Sequence, residues 1–441
     1  MKSWGLLVAA IVLAALSGTL YWSNHRKAKE AEAPAIETAP KVLSLNASDF
    51  VSLKIAKKSA EEVALSKNDA GKWQITGPKP FAADQGEVLS LLSTFSALSS
   101  DRLVEDKASD LSPYGLAQPS VVISTTDKNK KTVELKIGDD TPAGNGVYAA
   151  VAGDPRVFII ASYNKNGLDK GVNDLRDKRL LNFDSDKVSR VELTAKKQTI
   201  EFGRDKDRWQ ILKPKPLRAE QFAVDDLVRS LHDAKMELSA TDDEKKFQAA
   251  FNSGSVIATA KVTDVSGTQT LEIRKAKDDY YAKSSNVAGI YKVLASVGTS
   301  ADKRLDDFRT KKLFDFGFTE PDKIEMHDGS KGYIVTHGGS DWLSDGKKMD
   351  ESTVSPLVGA IRDLTASKFV DSGFASPVMD ITVMSDSGKR VEKILISKDG
   401  DRYVAKRENE PALYEIPPSS YTDLQNSAAG MKPTPPAPTK K

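Results

Sequence analysis

The amino-acid sequence predicts an α+β fold: three tandem copies of an antiparallel β-meander module with one amphipathic helix each, after an N-terminal transmembrane helix. Three observations lead there. Trp73, Trp209 and Trp342 recur at intervals of 136 and 133 residues, a period that fits a whole small domain with its own core rather than the short unit of a solenoid. Around each Trp, apolar residues recur at matching offsets, first with the period of strands and then with that of a helix. Ahead of the repeats, the stretch from Trp4 to Trp22 carries no charged residue.

That stretch, at about 1.5 Å per residue, makes roughly 28 Å of helix, enough to cross a bilayer. Trp4, Tyr21 and Trp22 stand where an interfacial aromatic belt places them, and no clean small-residue cleavage site follows, so an uncleaved signal anchor is expected over residues 1–25. Lys2 flanks one side; Arg26, Lys27 and Lys29 flank the other and by themselves favour a cytoplasmic C-terminal part. A single leading anchor followed by a long polar chain is instead the layout of an exported, tethered protein, and export is the preferred topology. Residues 26–42, rich in Ala, Glu and Pro, read as a flexible tether.

Module 1 is expected over residues 43–184, module 2 over 185–317 and module 3 over 318–424. Before each Trp the alternation of Val51, Leu53 and Ile55, then Val63 and Leu65, or of Val191 and Leu193, then Ile200 and Phe202, predicts hairpin strands. Counted from each Trp without gaps, Val88, Val224 and Leu357 are equivalent, as are Leu92, Val228 and Ile361, and Phe95, Leu231 and Leu364: one stripe of one helix per copy. Asp84, Glu220 and Thr353 fall at its start, and Asp84 with Glu87 has capping-box spacing. Pro78-Lys79-Pro80 and Pro214-Lys215-Pro216 stop the preceding strand. Further alternating runs follow the helix, and each copy closes on two aromatic strands, carrying Tyr148 and Phe158, Tyr281 and Tyr291, Tyr403 and Tyr414. The connectors Leu175-Arg176-Asp177-Lys178-Arg179-Leu180 and Phe308-Arg309-Thr310-Lys311-Lys312-Leu313 read as short helical joints with docked apolar ends and solvated cations. Residues 425–441, with Pro433, Pro435, Pro436 and Pro438, read as a disordered tail.

Lys plus Arg, 64, nearly balances Asp plus Glu, 62, which excludes the basic field of a nucleic-acid binder. The absence of cysteine rules out disulfide stapling and a lipidated-Cys anchor. Four histidines, His25, His232, His327 and His337, lack companions at metal-ligand spacing. Ser162 to Lys165 and Ser300 to Lys303 match Ser-x-x-Lys without its companion motifs, and Gly144-Asn145-Gly146 reads as a turn because no helix start follows. The reading therefore nominates no catalytic, cofactor-binding or metal residue and no enzyme. The tryptophans invite a sugar-platform reading, but Ile75 and Ile211 continue their side of the strand as apolar, which favours core anchors.

Gly71-Lys72-Trp73-Gln74-Ile75, the signature Tyr114-Gly115-Leu116-Ala117-Gln118-Pro119, Lys136-Ile137-Gly138-Asp139 and Leu175-Arg176-Asp177-Lys178 resemble the bacterial repeat family called domain of unknown function 4340. Gly373-Phe374-Ala375-Ser376-Pro377 echoes the signature in copy three, whereas copy two has lost it around residues 247–254. The resemblance implies no catalytic residues to carry over. It implies an anchored envelope protein, often associated with ABC-type transport systems of the gliding-motility auxiliary kind, though this chain lacks their large extra domain. The expectation is a non-enzymatic, single-pass inner-membrane protein with periplasmic modules, binding the membrane through residues 4–22, serving as accessory or scaffold to envelope partners such as ABC transporter subunits, and binding no nucleic acid or cofactor. The alternative is a glycan- or peptidoglycan-binding envelope protein.

Overall fold

The computed structural model describes residues 40–239 and 243–435, with Thr19 alone ahead of them. The expected span at 4–22, the tether up to residue 39 and residues 436–441 lie outside the described residues. Among the described residues no helix is long and apolar enough to cross a membrane. The chain forms two compact units, residues 1–178 and 179–441.

In the first unit, strands β1 (Phe50–Lys57), β2 (Ala60–Lys67), β3 (Trp73–Gly77) and β4 (Phe81–Ala82) lead into helix α1 (Gln85–Ser96). Strands β5 (Arg102–Glu105), β6 (Val121–Asp127), β7 (Thr132–Asp140), β8 (Gly146–Val151) and β9 (Val157–Ala161) follow, then α2 (Ser162–Leu168) and α3 (Val172–Leu175). The strands form one antiparallel sheet in the order β4-β3-β2-β1-β6-β7-β8-β9-β5. Asp84 caps α1 by accepting from the amides of Gly86 and Glu87, and the helix buries Val88, Leu91, Leu92 and Phe95 against Leu53, Ile55, Ile123 and Ile137 of the sheet. Each of these side chains contributes about 1.5–3 kcal/mol by leaving water.

The second unit repeats the plan twice. Strands β10 (Arg190–Ala195), β11 (Gln198–Asp205), β12 (Arg208–Lys213) and β13 (Leu217–Arg218) precede α4 (Gln221–His232) and α5 (Glu244–Ser253). Then come β14 (Ser255–Asp264), β15 (Gly267–Ala276), β16 (Asp279–Ser284), β17 (Ile290–Val293) and α6 (Ala295–Ala301), in the sheet order β13-β12-β11-β10-β14-β15-β16-β17. The third sheet has β18 (Lys323–Asp328), β19 (Lys331–Gly338), β20 (Asp341–Ser344) and β21 (Lys347–Lys348), then α7 (Glu351–Arg362). It continues with β22 (Lys368–Val370), β23 (Pro377–Ser385), β24 (Arg390–Asp399), β25 (Arg402–Arg407), β26 (Leu413–Ile416) and α8 (Pro418–Ala429), in the order β21-β20-β19-β18-β23-β24-β25-β26-β22. The three sheets share one order over eight strands, the second lacking the ninth edge strand that β5 and β22 supply in the others, and this confirms the α+β class and the triplication.

Several finer expectations need correction. Helix α7 is capped by Asp350 rather than Thr353, and its buried face is Val354, Leu357, Val358 and Ile361. Copy three is three residues shorter between Trp and helix, because the Pro-Lys-Pro of the first two copies is absent and Asp345 and Gly346, both with positive φ, turn directly into β21. An ungapped count hid this deletion, since a slip of three or four residues along a helix lands on the same apolar stripe. At the start of β1 a register shift between Phe50 and Ser52 buries Phe50 and leaves Val51 38% exposed, against the simple alternation. Each copy also has more than one helix. In copy two, α5 occupies the place of the lost signature.

The edges of the modules move as well. The three cores run from Val42 to Leu175, from Leu180 to Phe308 and from Leu313 to Ala428, so module edges fall upstream of the expected 184/185 and 317/318. Pro40 to Val42 are not free tether: Val42 donates to Leu98 O, Ser100 donates to Pro40 O, and Val42 is buried. The connectors are helical only as far as Leu175 and Phe308 and then extended, Arg176 bridging to Ala83 and Arg309 to Ala219. Residues 425–435 are not disordered. Leu424 and Ala428 of α8 are buried, and Pro433 bridges to Met349 at the position that Arg176 and Arg309 take in the other copies. The amide of the helix-capping residue bonds Leu175 O, Phe308 O and Lys432 O in the three copies, at 2.8, 2.8 and 2.9 Å. A proline suits this site because the partner there is its neighbour's carbonyl and no amide of its own is needed.

Candidate functional site at the joint of the second and third sheets

The residues that the sequence singles out for chemistry lie apart and have structural partners. Trp73, Trp209 and Trp342 are 2%, 2% and 3% exposed and belong to the three cores, so they cannot form a sugar track. The side-chain amide of Gln85 brackets the Trp73 backbone, accepting from its N and donating to its O, both at 2.9 Å, and Gln221 does the same at Trp209. His232 Nδ1 lies 2.9 Å from Asp233 and His327 Nδ1 3.2 Å from Asp380. Lys165 pairs with Asp140 at 2.9 Å rather than with Ser162, and Ser300 donates to Ser296 O at 2.8 Å. Gly144 lies in the turn closed by Thr141 N on Gly146 O. Among the described residues no three His, Cys, Asp or Glu side chains are grouped to hold a metal ion.

The signature of copy one is a packing latch. Gly115 has φ +68°, and a Cβ there would stand 2.4 Å from the Asp139 carboxyl carbon; a Cβ on Gly138 would stand 2.1 Å from Tyr114 O. Only glycine fits at either point. Leu116 is buried below the loop with Ala150 and Val157, and the Tyr114 hydroxyl donates to Glu105 at 2.8 Å. In copy three Gly373, φ +102°, lies against Asp399 in the same way.

A network of ion pairs stands where module 2 meets module 3. Each connector is held by two side chains from the sheet it enters. In module 2, Gln269 accepts from Asn182 N at 2.8 Å and Ser284 donates to Leu180 O. At the equivalent rungs of module 3, Glu392 accepts from Asp315 N at 2.9 Å and Arg407 donates to Leu313 O. A neutral pair in one copy is therefore an ion pair in the next, Arg407 to Glu392 at 3.1 Å. Arg407 also pairs with Glu410 at 2.6 Å, and Arg218 from β13 pairs with Asp315 at 2.6 Å, bonds Lys312 O at 2.7 Å and lies 3.8 Å from Glu410. Burial opposes the Arg407 charge, but Glu410, Glu392 and Asp315 outweigh it and hold its pKa above the ordinary arginine value. Leu217, beside Arg218, packs against both cores.

Above this joint opens a cleft of about 640 Å³, lined by β12, β13, the first turn of α4, the connector and the β25–β26 turn. Its floor is satisfied: Arg218, Arg407 and Gln221 spend their polar atoms on the partners just described. Its rim is not. The side chains of Arg208, Gln210, Glu220, Lys312 and Asn409 have no protein partner among the described residues, and Phe222 stands 79% exposed. Sequence reasoning missed this site because its walls come from positions up to two hundred residues apart. One local signal was available: Phe222 occupies a helix position that is Gly86 in copy one and Ser352 in copy three.

No curated protein and no solved structure matches the chain. The family described as Domain of unknown function (DUF4340) matches it twice, over residues 73–248 and 209–378. Each match begins at a core Trp and runs on into the next copy, so residues 209–248 are matched both at the end of one and at the start of the other. With well over half of its 441 residues matched, the chain belongs to the DUF4340 family.

Proposed function

We propose that this protein is a non-enzymatic scaffold or accessory protein of the bacterial envelope, held by the span at residues 4–22 with its modules on the periplasmic side, and serving an ABC-type transport assembly. The observation that carries the reading is the joint. Partly buried charge is invested in fixing one module on the next, through Arg218, Asp315, Glu392, Arg407 and Glu410, which suits a protein whose work is to hold partners at a set spacing. The uncharged N-terminal stretch supports the anchor, and the family resemblance supports the transport setting. Mild-detergent extraction of the full chain from its own membrane, followed by affinity purification, tests it. Permease or ATPase subunits in stoichiometric amount are expected in the eluate; a chain that purifies alone, or that stays in the soluble fraction without detergent, contradicts the proposal.

A further inference from the structure

We infer that the cleft at the joint of modules 2 and 3 is a saccharide-binding site, with Phe222 as the stacking platform and Arg208, Gln210, Glu220, Lys312 and Asn409 as hydrogen-bonding groups. This goes beyond the scaffold reading and stands or falls independently of it. Three observations converge on it. The volume, about 640 Å³, lies within the range of roughly 300–1,000 Å³ found for small-ligand sites. Phe222 is 79% exposed at this cleft, while the same helix position is Gly86 in copy one and Ser352 in copy three, where a cleft of about 320 Å³ at the equivalent place has no ring at that position, so the fold itself does not require one there. Sugar rings offer apolar C–H faces to an aromatic ring and hydroxyls that donate and accept together. The rim matches this with two cations, one carboxylate and two amides, none committed to a protein partner.

The backbone argues against an extended peptide as occupant. The outer edge of β13 is already closed, Thr310 N donating to Arg218 O and Ala219 bridging to Arg309, so no strand can be added there. A single exposed ring likewise lacks the row of apolar anchors that an amphipathic helix needs.

The test uses the full chain in detergent micelles, with N-acetylglucosamine tetramer and lysozyme-solubilised peptidoglycan fragments as probes, read by calorimetry and saturation-transfer NMR. At least one probe is expected to bind saturably and to show ring-face contact. Phe222→Ser, which installs the residue of copy three at an exposed site, is expected to weaken binding roughly five- to tenfold, about one ring contact, with an unchanged melting curve. Gln210→Ala provides a second exposed variant that should weaken binding without touching the fold. Absence of saturable binding at ~10 mM probe, a concentration that fills even a ~1 mM site, overturns the inference. So does parental affinity in Phe222→Ser, or binding of an unstructured peptide in the cleft with no saccharide bound.

Discussion

Modules 2 and 3 solve the same local problem with different chemistry, and exchanging the solutions tests how the joint is held. Arg407→Ser removes a guanidinium whose side chain is only 15% exposed and strands Glu392, 4% exposed, beside it. Breaking a buried pair from one side costs about 3–5 kcal/mol. Glu392 keeps one donor, Asp315 N at 2.9 Å, and Glu410 keeps the Tyr414 hydroxyl at 3.2 Å, which places the loss near the lower end, ~3 kcal/mol. Glu392→Gln alone leaves Arg407 paired with Glu410 and should cost less, ~1–2 kcal/mol. The double variant Glu392→Gln with Arg407→Ser rebuilds the Gln269–Ser284 arrangement of module 2, with no stranded carboxylate at position 392. It should therefore be more stable than Arg407→Ser alone by about 1–2 kcal/mol, which, added to the cost of Glu392→Gln alone, is a coupling energy of about 2–4 kcal/mol. Urea unfolding of parent, both single variants and the double variant closes the cycle. Strict additivity, with the double variant as unstable as the two losses summed, would show that the pair does not act as a unit and would refute the reasoning.

Trp73→Ala should cost about 3–5 kcal/mol by cavity formation and lower the melting of the first unit alone, whereas Trp209→Ala, of similar cost, should carry module 3 down with module 2, because Leu217 packs on both cores and Arg218 reaches Asp315. Differential scanning calorimetry that resolves three independent transitions in Trp209→Ala would contradict this. Gly115→Ala combines a left-handed backbone, about 1–2 kcal/mol, with an overlap against Asp139 of about 1–3 kcal/mol, and adding Asp139→Ala should recover only the second part; full recovery in chemical denaturation would count against the backbone argument. The Lys213 ammonium at 2.8 Å, aided by Arg190 at 2.6 Å, holds the Glu201 carboxyl below the ordinary range despite its burial. A lowered folded pKa contributes stability that is complete above the unfolded value of about 4.3 and is lost as pH falls through the folded value. Glu201→Gln should accordingly flatten the acid limb of module 2 unfolding below about pH 4, and an unaltered acid limb would remove Glu201 as its source.

What the sequence disclosed and what it withheld follow from how local each signal is. The Trp period and the strand alternation are local and survived: Trp73, Trp209 and Trp342 anchor three cores under three sheets of the same order. The copy-three deletion was invisible because Leu357, Ile361 and Leu364 remain apolar in either register, and the proper equivalents of Val88 and Val224 is settled only by Asp350 at the cap. Composition misled at the C-terminus. Tyr421, Leu424 and Ala428 carry a helical stripe that crosses the expected edge of module 3 at 424, but the Ser, Asn and Pro beyond that edge read as a tail, and what orders Pro433 is a backbone partner at Met349, far away in the chain. The candidate site was the least legible part. Arg218, Asp315 and Arg407 look like three solvated charges until β13, the connector and β25 bring them together. The Tyr114–Pro119 signature, by contrast, was easy to see, and the structure shows it holding a loop.

The proposed scaffold role requires that residues 4–22 carry the modules outside the cytoplasm, and one measurement addresses that most directly. An alkaline phosphatase fused behind Lys41 is active only after export, and a green fluorescent protein at the same junction is bright only in the cytoplasm. The account predicts phosphatase activity with a dark fluorescent fusion, both in the membrane fraction. A bright fluorescent fusion with inactive phosphatase would mean that Arg26, Lys27 and Lys29 fix the opposite orientation, and would contradict it.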